Sequence, residues 1–149
     1  MSNGLEQHHK VKADQSRVFK ALTDAGELMN WFPTVVKTDP RAGGEMRYEW
    51  EFENSENNGF QDMKYLDFVA DEKFSHTWDA DGQDTVVSFT LSASNGATEI
   101  HLSHTGWADG LDEAVEMHSQ IWTGYMQNLK VYLEEGGDMR SQMKGQKTK

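Results

Sequence analysis

Within Glu45–Phe52 the even positions are Met46, Tyr48, Trp50 and Phe52, and the odd ones are Glu45, Arg47, Glu49 and Glu51. Alternation with a period of two predicts a half-buried strand, aromatic on its inner face and charged on its outer one. The same reading turns Phe74, His76 and Trp78 inward in Lys73–Asp79, and Ile100, Leu102 and His104 inward in Thr98–His104. Thr85–Ser92 sets Val87, Phe89 and Leu91 against Val86, Ser88 and Thr90. In Leu111–Glu135 the period becomes helical, and His118, Trp122, Tyr125, Leu129 and Leu133 fall on one stripe. Several separate segments therefore aim rings and imidazoles at one interior.

The remaining elements follow from caps and turns. Leu5–Lys12 reads as a first strand. Asp14 offers an N-cap to a short helix whose apolar face is Val18, Phe19 and Leu22. Asp24 with Glu27 three residues on starts a second short helix, which would carry Leu28, Trp31 and Phe32 and stop at Pro33. Thr34–Thr38 is β-like, Pro40 to Gly44 is a turn, and Asn54–Gly59 is a polar turn. Phe60–Val69 is a strand whose facing the pattern leaves open. Asp81-Gly82 turns the chain, Asn95-Gly96 marks a hairpin, and Gly136-Gly137 ends the last helix. The order is a strand, two short helices, about six strands joined by short turns, and one long helix. That predicts an α+β domain, an antiparallel sheet whose apolar face is covered by the C-terminal helix.

The chain has 149 residues, enough for one domain with a single core. We expect that domain over residues 1–137 and a basic, disordered tail over 138–149, where Arg140, Lys144, Lys147 and Lys149 outnumber Asp138. The formal charge is −11, and with a basic tail the body is more acidic still. Such a body repels phosphate backbones and anionic lipid surfaces, so nucleic acid is discounted as a partner. No run approaches the roughly 20 apolar residues of a membrane span, so membrane insertion is not expected. Met1–Val11 has no apolar stretch of the signal-peptide kind, and a cytoplasmic location is the expectation. The absence of cysteine removes disulfides, thiolate catalysis and cysteine-based zinc sites.

Three motifs occur in order: Pro40-Arg41-Ala42-Gly43-Gly44, Phe74-Ser75-His76-Thr77-Trp78, and Thr98 through His104-Thr105-Gly106-Trp107. A helix bearing His118, Trp122 and Leu129 follows them. Across roughly Val11–Glu135 this resembles the SRPBCC (START/birch-pollen-allergen-like) superfamily. Within it, the chain looks most like the domain family named for the activator of heat-shock-protein-ninety ATPase. The resemblance implies the helix-grip fold, a curved antiparallel sheet of six to seven strands around a long C-terminal helix with a cavity between them. It also implies that Trp31 and Phe32 lie near the cavity mouth. Superfamily members bind lipids, sterols, polyketides and other apolar molecules; some are cyclases or hydrolase-like enzymes, and others regulate proteins. The namesake co-chaperone also needs a separate domain, which is not expected within these 149 residues.

The candidate ligand-binding residues are Trp31, Phe32, Tyr48, Trp50, His76, Trp78, His104, His118, Trp122 and Tyr125. For the aromatic residues the alternative is plain core packing. For the three histidines it is separate hydrogen-bonded core positions rather than one polar cluster. Glu45, Glu49, Glu51 and Glu53 read as a solvated outer face, and Gly43-Gly44 lacks the spacing of a phosphate loop. No nucleophile elbow surrounds Ser88 or Ser103, so no catalytic residue is assigned. No metal or other cofactor is expected. His101 and His104 are an odd number of residues apart and face opposite sides of a strand, as do His8 and His9. The expected function is binding of a small apolar or aromatic molecule. A cyclase- or hydrolase-like enzyme and a stress-related, co-chaperone-like interaction module are the alternatives. Exposed strand edges offer a route to a homodimer.

Overall fold

Strands with one aromatic face and one charged face must share a covered side, and here they do so in one sheet. A computed structural model describes residues 4–50, 59–80 and 83–138. Its strands are β1 (Gly4–Val11), β2 (Val35–Thr38), β3 (Glu45–Trp50), β4 (Gly59–Val69), β5 (Lys73–Ala80), β6 (Gln83–Ser94) and β7 (Ala97–Thr105). Its helices are α1 (Gln15–Thr23), α2 (Ala25–Leu28) and α3 (Asp112–Glu135). The strands form one antiparallel sheet in the order β1-β7-β6-β5-β4-β3-β2, a meander from β2 to β7 closed by β1 at its far edge. Between the sheet and α3 lies a core whose largest fully buried side chains include Trp31, Trp122, Tyr48 and Tyr65. This is the helix-grip architecture.

The local chemistry explains the joints. Asp14 caps α1 by accepting from the Arg17 amide at 2.8 Å. Asp24 ends α1 and also caps α2, accepting from the Glu27 amide at 3.1 Å. Asn95 and Gly96 both take positive φ (50° and 80°), the backbone that a two-residue hairpin between β6 and β7 requires. Gly44 belongs to a turn, and a Cβ there would overlap the Asp39 carbonyl oxygen. α3 ends on Gly136 at φ 73°, whose amide bonds back to the Tyr132 and Val131 carbonyls. None of the described helices is long and apolar enough to cross a membrane.

One expectation is corrected, and others fall outside the described residues. The second short helix does not carry Trp31 and Phe32; it stops at Leu28. Phe32 precedes Pro33, which disfavours helical backbone there, and the chain tightens into turns with Asn30 N–H on Glu27 O and Trp31 N–H on Leu28 O. β3 is described only to Trp50, so Phe52, the Asn54–Gly59 turn up to residue 58, Glu51, Glu53 and the Asp81-Gly82 turn lie outside the described residues. So does the basic tail beyond Asp138.

The facing of β4 is settled by an irregularity. Met63 and Tyr65 are buried, but the register shifts between Tyr65 and Phe68, after which Phe68 turns toward the core and Leu66 and Val69 are exposed. Along the same seam side chains replace ladder bonds. Thr77 Oγ1 accepts the Lys64 amide at 3.0 Å and Ser75 Oγ the Asp67 amide at 3.2 Å. The Gln61 side chain bonds both to the Asp79 amide and to its carbonyl.

α3 is moored at both ends. Near its start, the Gln7 amide of β1 donates to Ser119 O at 2.8 Å, with Thr123 Oγ1 3.1 Å away. Near its end, the fully buried Asn128 donates to the Trp31 carbonyl at 2.7 Å. Tyr132 accepts from Asn30 at 3.0 Å and donates to Glu27, which also pairs with Arg17 at 3.0 Å.

Candidate functional site

The inward side chains sort into two groups by the state of their polar atoms. The first group is built around His104, fully buried on β7. The Trp122 indole N–H on α3 donates to His104 Nδ1 at 3.1 Å. An indole N–H only donates, so Nδ1 carries the lone pair and the ring proton sits on Nε2. Nε2 then donates to Thr85 Oγ1 at 2.7 Å, and that hydroxyl donates to the Trp78 carbonyl at 2.7 Å. Trp107, just beyond β7, donates its indole N–H to the His104 carbonyl at 3.1 Å, and its ring lies 4.8 Å from the imidazole. His118, half-buried, turns its Nδ1 to the Ala114 carbonyl one helical turn back and meets His104 edge-on at 5.5 Å. Burial, and then the proximity of His118 and His76, hold the His104 pKa down to about 3. At neutral pH this imidazole is an uncharged link in a closed hydrogen-bond chain.

The second group lies toward β3 and β5. Phe32 is its hub, with ring centroids 4.5 Å from Tyr125, 5.4 Å from Tyr48, 5.6 Å from Trp50 and 5.6 Å from Trp122. Tyr48, Trp50, Trp78 and His76 follow one another at 6.0, 6.1 and 6.2 Å. Here the polar atoms are not closed. The indole nitrogens of Trp50 and Trp78 are buried without a hydrogen-bond partner among the described residues. His76 spends Nδ1–H on the Thr77 carbonyl at 2.8 Å, which leaves Nε2 as a lone-pair acceptor that no described residue engages. Burial brings its pKa down to about 4 against a smaller upward pull from that carbonyl. Burial likewise holds the Tyr48 phenol well above its ordinary value, and no described residue bonds to its hydroxyl. The buried polar residues include no charged side chain among those described.

The ten sequence candidates thus divide. Phe32, Tyr48, Trp50, His76, Trp78 and Tyr125 come together in the open group, with Trp122 as the wall it shares with His104. His104 and His118 meet each other, while Trp78 stands between His76 and His104, at 6.2 and 6.0 Å. Trp31 is turned away from solvent altogether, its indole N–H on the Ala21 carbonyl at 2.9 Å and its ring stacked on Phe32 at 5.2 Å. Sequence reasoning missed Trp107, Thr85 and Asn128. Trp107 was legible only as part of a motif, because strand alternation continued from His104 would aim it outward, and only the turn at Gly106, φ 91°, brings it into the core. On the outer face, Glu49 pairs with Arg47 at 2.8 Å, and Arg47 also holds Asp62 in a two-toothed contact at 2.8 and 2.9 Å.

Comparison with known proteins places this geometry. The family profile described as activator of Hsp90 ATPase homolog 1-like protein matches residues 12–134. No curated protein matches the chain. Among solved structures, protein MLL2253 of Mesorhizobium loti superposes with a TM-score of 0.78 at 17% identity, covering 91% of this chain and 99% of that one. DynU16, from the dynemicin biosynthetic locus, gives 0.78 at 20% identity over 91% of this chain and 49% of its own. The Aha1 dimer of Colwellia psychrerythraea gives 0.73 at 19% identity over 89% and 97%. At these identities the likeness is one of fold.

Proposed function

The chain belongs to the activator of Hsp90 ATPase homolog 1-like family, and we propose that it is a binding protein for one neutral, largely apolar or aromatic molecule that carries a carbonyl or hydroxyl oxygen. The observation that supports this reading is the pair of buried, unpartnered indole N–H groups of Trp50 and Trp78. A buried donor without an acceptor costs about 1–3 kcal/mol. An acceptor oxygen on a bound molecule would recover that cost, and Tyr48 O–H and His76 Nε2 would add a donor and an acceptor beside it. Phe32, Tyr125 and Trp122 would supply the apolar walls. With no buried charged side chain among the described residues to pair with it, an ionised ligand would lose its hydration uncompensated, so the class is neutral, lipids and polycyclic aromatics included.

Binding is favoured over catalysis by His76. A base with a pKa of about 4 is far from the operating range of a general base at neutral pH. A homodimer goes with the proposal. The Colwellia neighbour is a dimer, and in this sheet β1 and β2 are the outermost strands. Light scattering after size exclusion tests it, and a monomer mass would remove it. A cytoplasmic location also goes with this reading.

The test is native mass spectrometry of protein purified without detergent, then organic extraction. An extra mass that leaves on extraction, and binding weakened at least tenfold in the Trp50→Phe, Trp78→Phe double variant, is the expected result. A clean mass, together with no thermal shift from any of a panel of neutral aromatic ketones, quinones and fatty alcohols, would overturn the proposal.

A further inference from the structure

The outer face of the sheet carries a cluster that the interior does not use. Glu6 and His8 are two residues apart on β1 and so face the same side, away from α3. The register sets His101 of β7 directly opposite His8. Their imidazoles lie parallel, 1° between planes and 4.6 Å between centroids. His101 Nε2 is 2.9 Å from Glu6 Oε1. One ligand-type atom from each of the three residues falls within 4.8 Å of the other two.

We propose that Glu6, His8 and His101 form a binding site for one divalent transition-metal ion of the zinc or copper class. Two imidazole nitrogens and one carboxylate oxygen suit such ions, whereas calcium and magnesium prefer all-oxygen sets. A tetrahedral ion about 2.0–2.1 Å from each nitrogen wants its ligand atoms roughly 3.4 Å apart. Side-chain rotation covers the difference, because the eight-residue β1–β7 ladder already fixes the three Cα positions. Water would fill the remaining coordination positions on this exposed face. The net charge of −11 favours a cation at the surface, and Lys10, the nearest basic residue along the same face, sits opposite Glu99. Neighbours in sequence conceal the site. His8 and His9 straddle the sheet, as do His101 and His104, and only the pairing of β1 with β7 brings two histidines to one face.

Isothermal titration of the full chain with zinc chloride and with copper sulfate tests the site, in a buffer that does not bind metal. The expected result is one ion per chain, with copper bound more tightly than zinc. Affinity should fall at least tenfold in both His8→Ala and His101→Ala. His9→Ala should bind as the unaltered protein does, since His9 turns to Gln7 (2.8 Å) on the face that meets α3. Long-range ¹H–¹⁵N spectra of the histidine rings should show His8 and His101 perturbed first. Unchanged affinity in His8→Ala would overturn the proposal. So would an equal loss in His9→Ala, or a stoichiometry of one ion per two chains.

Discussion

The two halves of the interior are made of the same residue types, yet they end in opposite states. Around His104, each ring nitrogen of the imidazole and the indoles of Trp122 and Trp107 have a partner, and the chain Trp122–His104–Thr85–Trp78 closes on a backbone carbonyl. Around Trp50 and Trp78 the rings pack as closely, but their N–H groups end without acceptors among the described residues. The difference teaches how to divide an aromatic core. Saturated polar atoms report architecture, because folding itself requires them, and unsaturated ones mark where packing alone leaves a cost.

Acid should have the largest effect and strike both halves at once. His76 and His104 are neutral in the fold, with pKa values of about 4 and about 3, against the ordinary 6.5 in the unfolded chain. Their contribution is therefore complete above pH 6.5. It is lost as pH falls toward 4, because the unfolded state takes up the protons first. Between pH 7 and 4.5 the two together remove about 5 kcal/mol, at about 1.4 kcal/mol per unit for each. Urea midpoints measured across that range check it; about half the loss would mean that one of the two histidines is solvated, and a flat profile that both are.

His104→Ala comes next, at about 3–4 kcal/mol, since it leaves a cavity and unpairs Trp122 and Thr85 together. Denaturant unfolding reads it directly. Trp122→Phe and Trp78→Phe form the sharpest contrast. Both shrink a buried indole, but only the first removes a donor that had a partner, so it should cost about 1–2 kcal/mol more. Equal costs would erase the distinction between the halves. The smallest effect is expected at the rim. His118→Gln should change stability by less than about 1 kcal/mol, because the ring is half-buried and its bond is to its own helix.

Most of the frame was legible because it depends on local periodicity. The alternation in Glu45–Phe52 aims Met46 and Tyr48 correctly, and Val87, Phe89 and Leu91 are buried as their spacing demands. β4 resisted because its bulge changes parity midway, so no single alternation fits the strand. The helical stripe named Trp122 and Leu129 but passed over Met126 and Asn128, which are fully buried. Asn128 is polar and looks like a surface residue until the Trp31 carbonyl appears above it. The inward facing of the histidine, indole and phenol positions of the candidate site was also legible. Which of their atoms are satisfied was not, since that depends on partners such as Thr85, distant in sequence and chemically ordinary.

The place of β1 in the sheet bears on the order in which the molecule assembles. The meander from β2 to β7 links neighbours in sequence, but β1 waits for β7, and Gln7 reaches residues of α3 that lie 112 positions away. Such a long-range pairing closes slowly and exposes a strand edge until it does. β1, made before the rest of the sheet, is therefore expected to find its place last, which would leave β7 as an open template to other chains until then. Pulse-labelled hydrogen exchange during refolding would record that interval as late protection of the β1 and β7 amides, after those of β5 and β6.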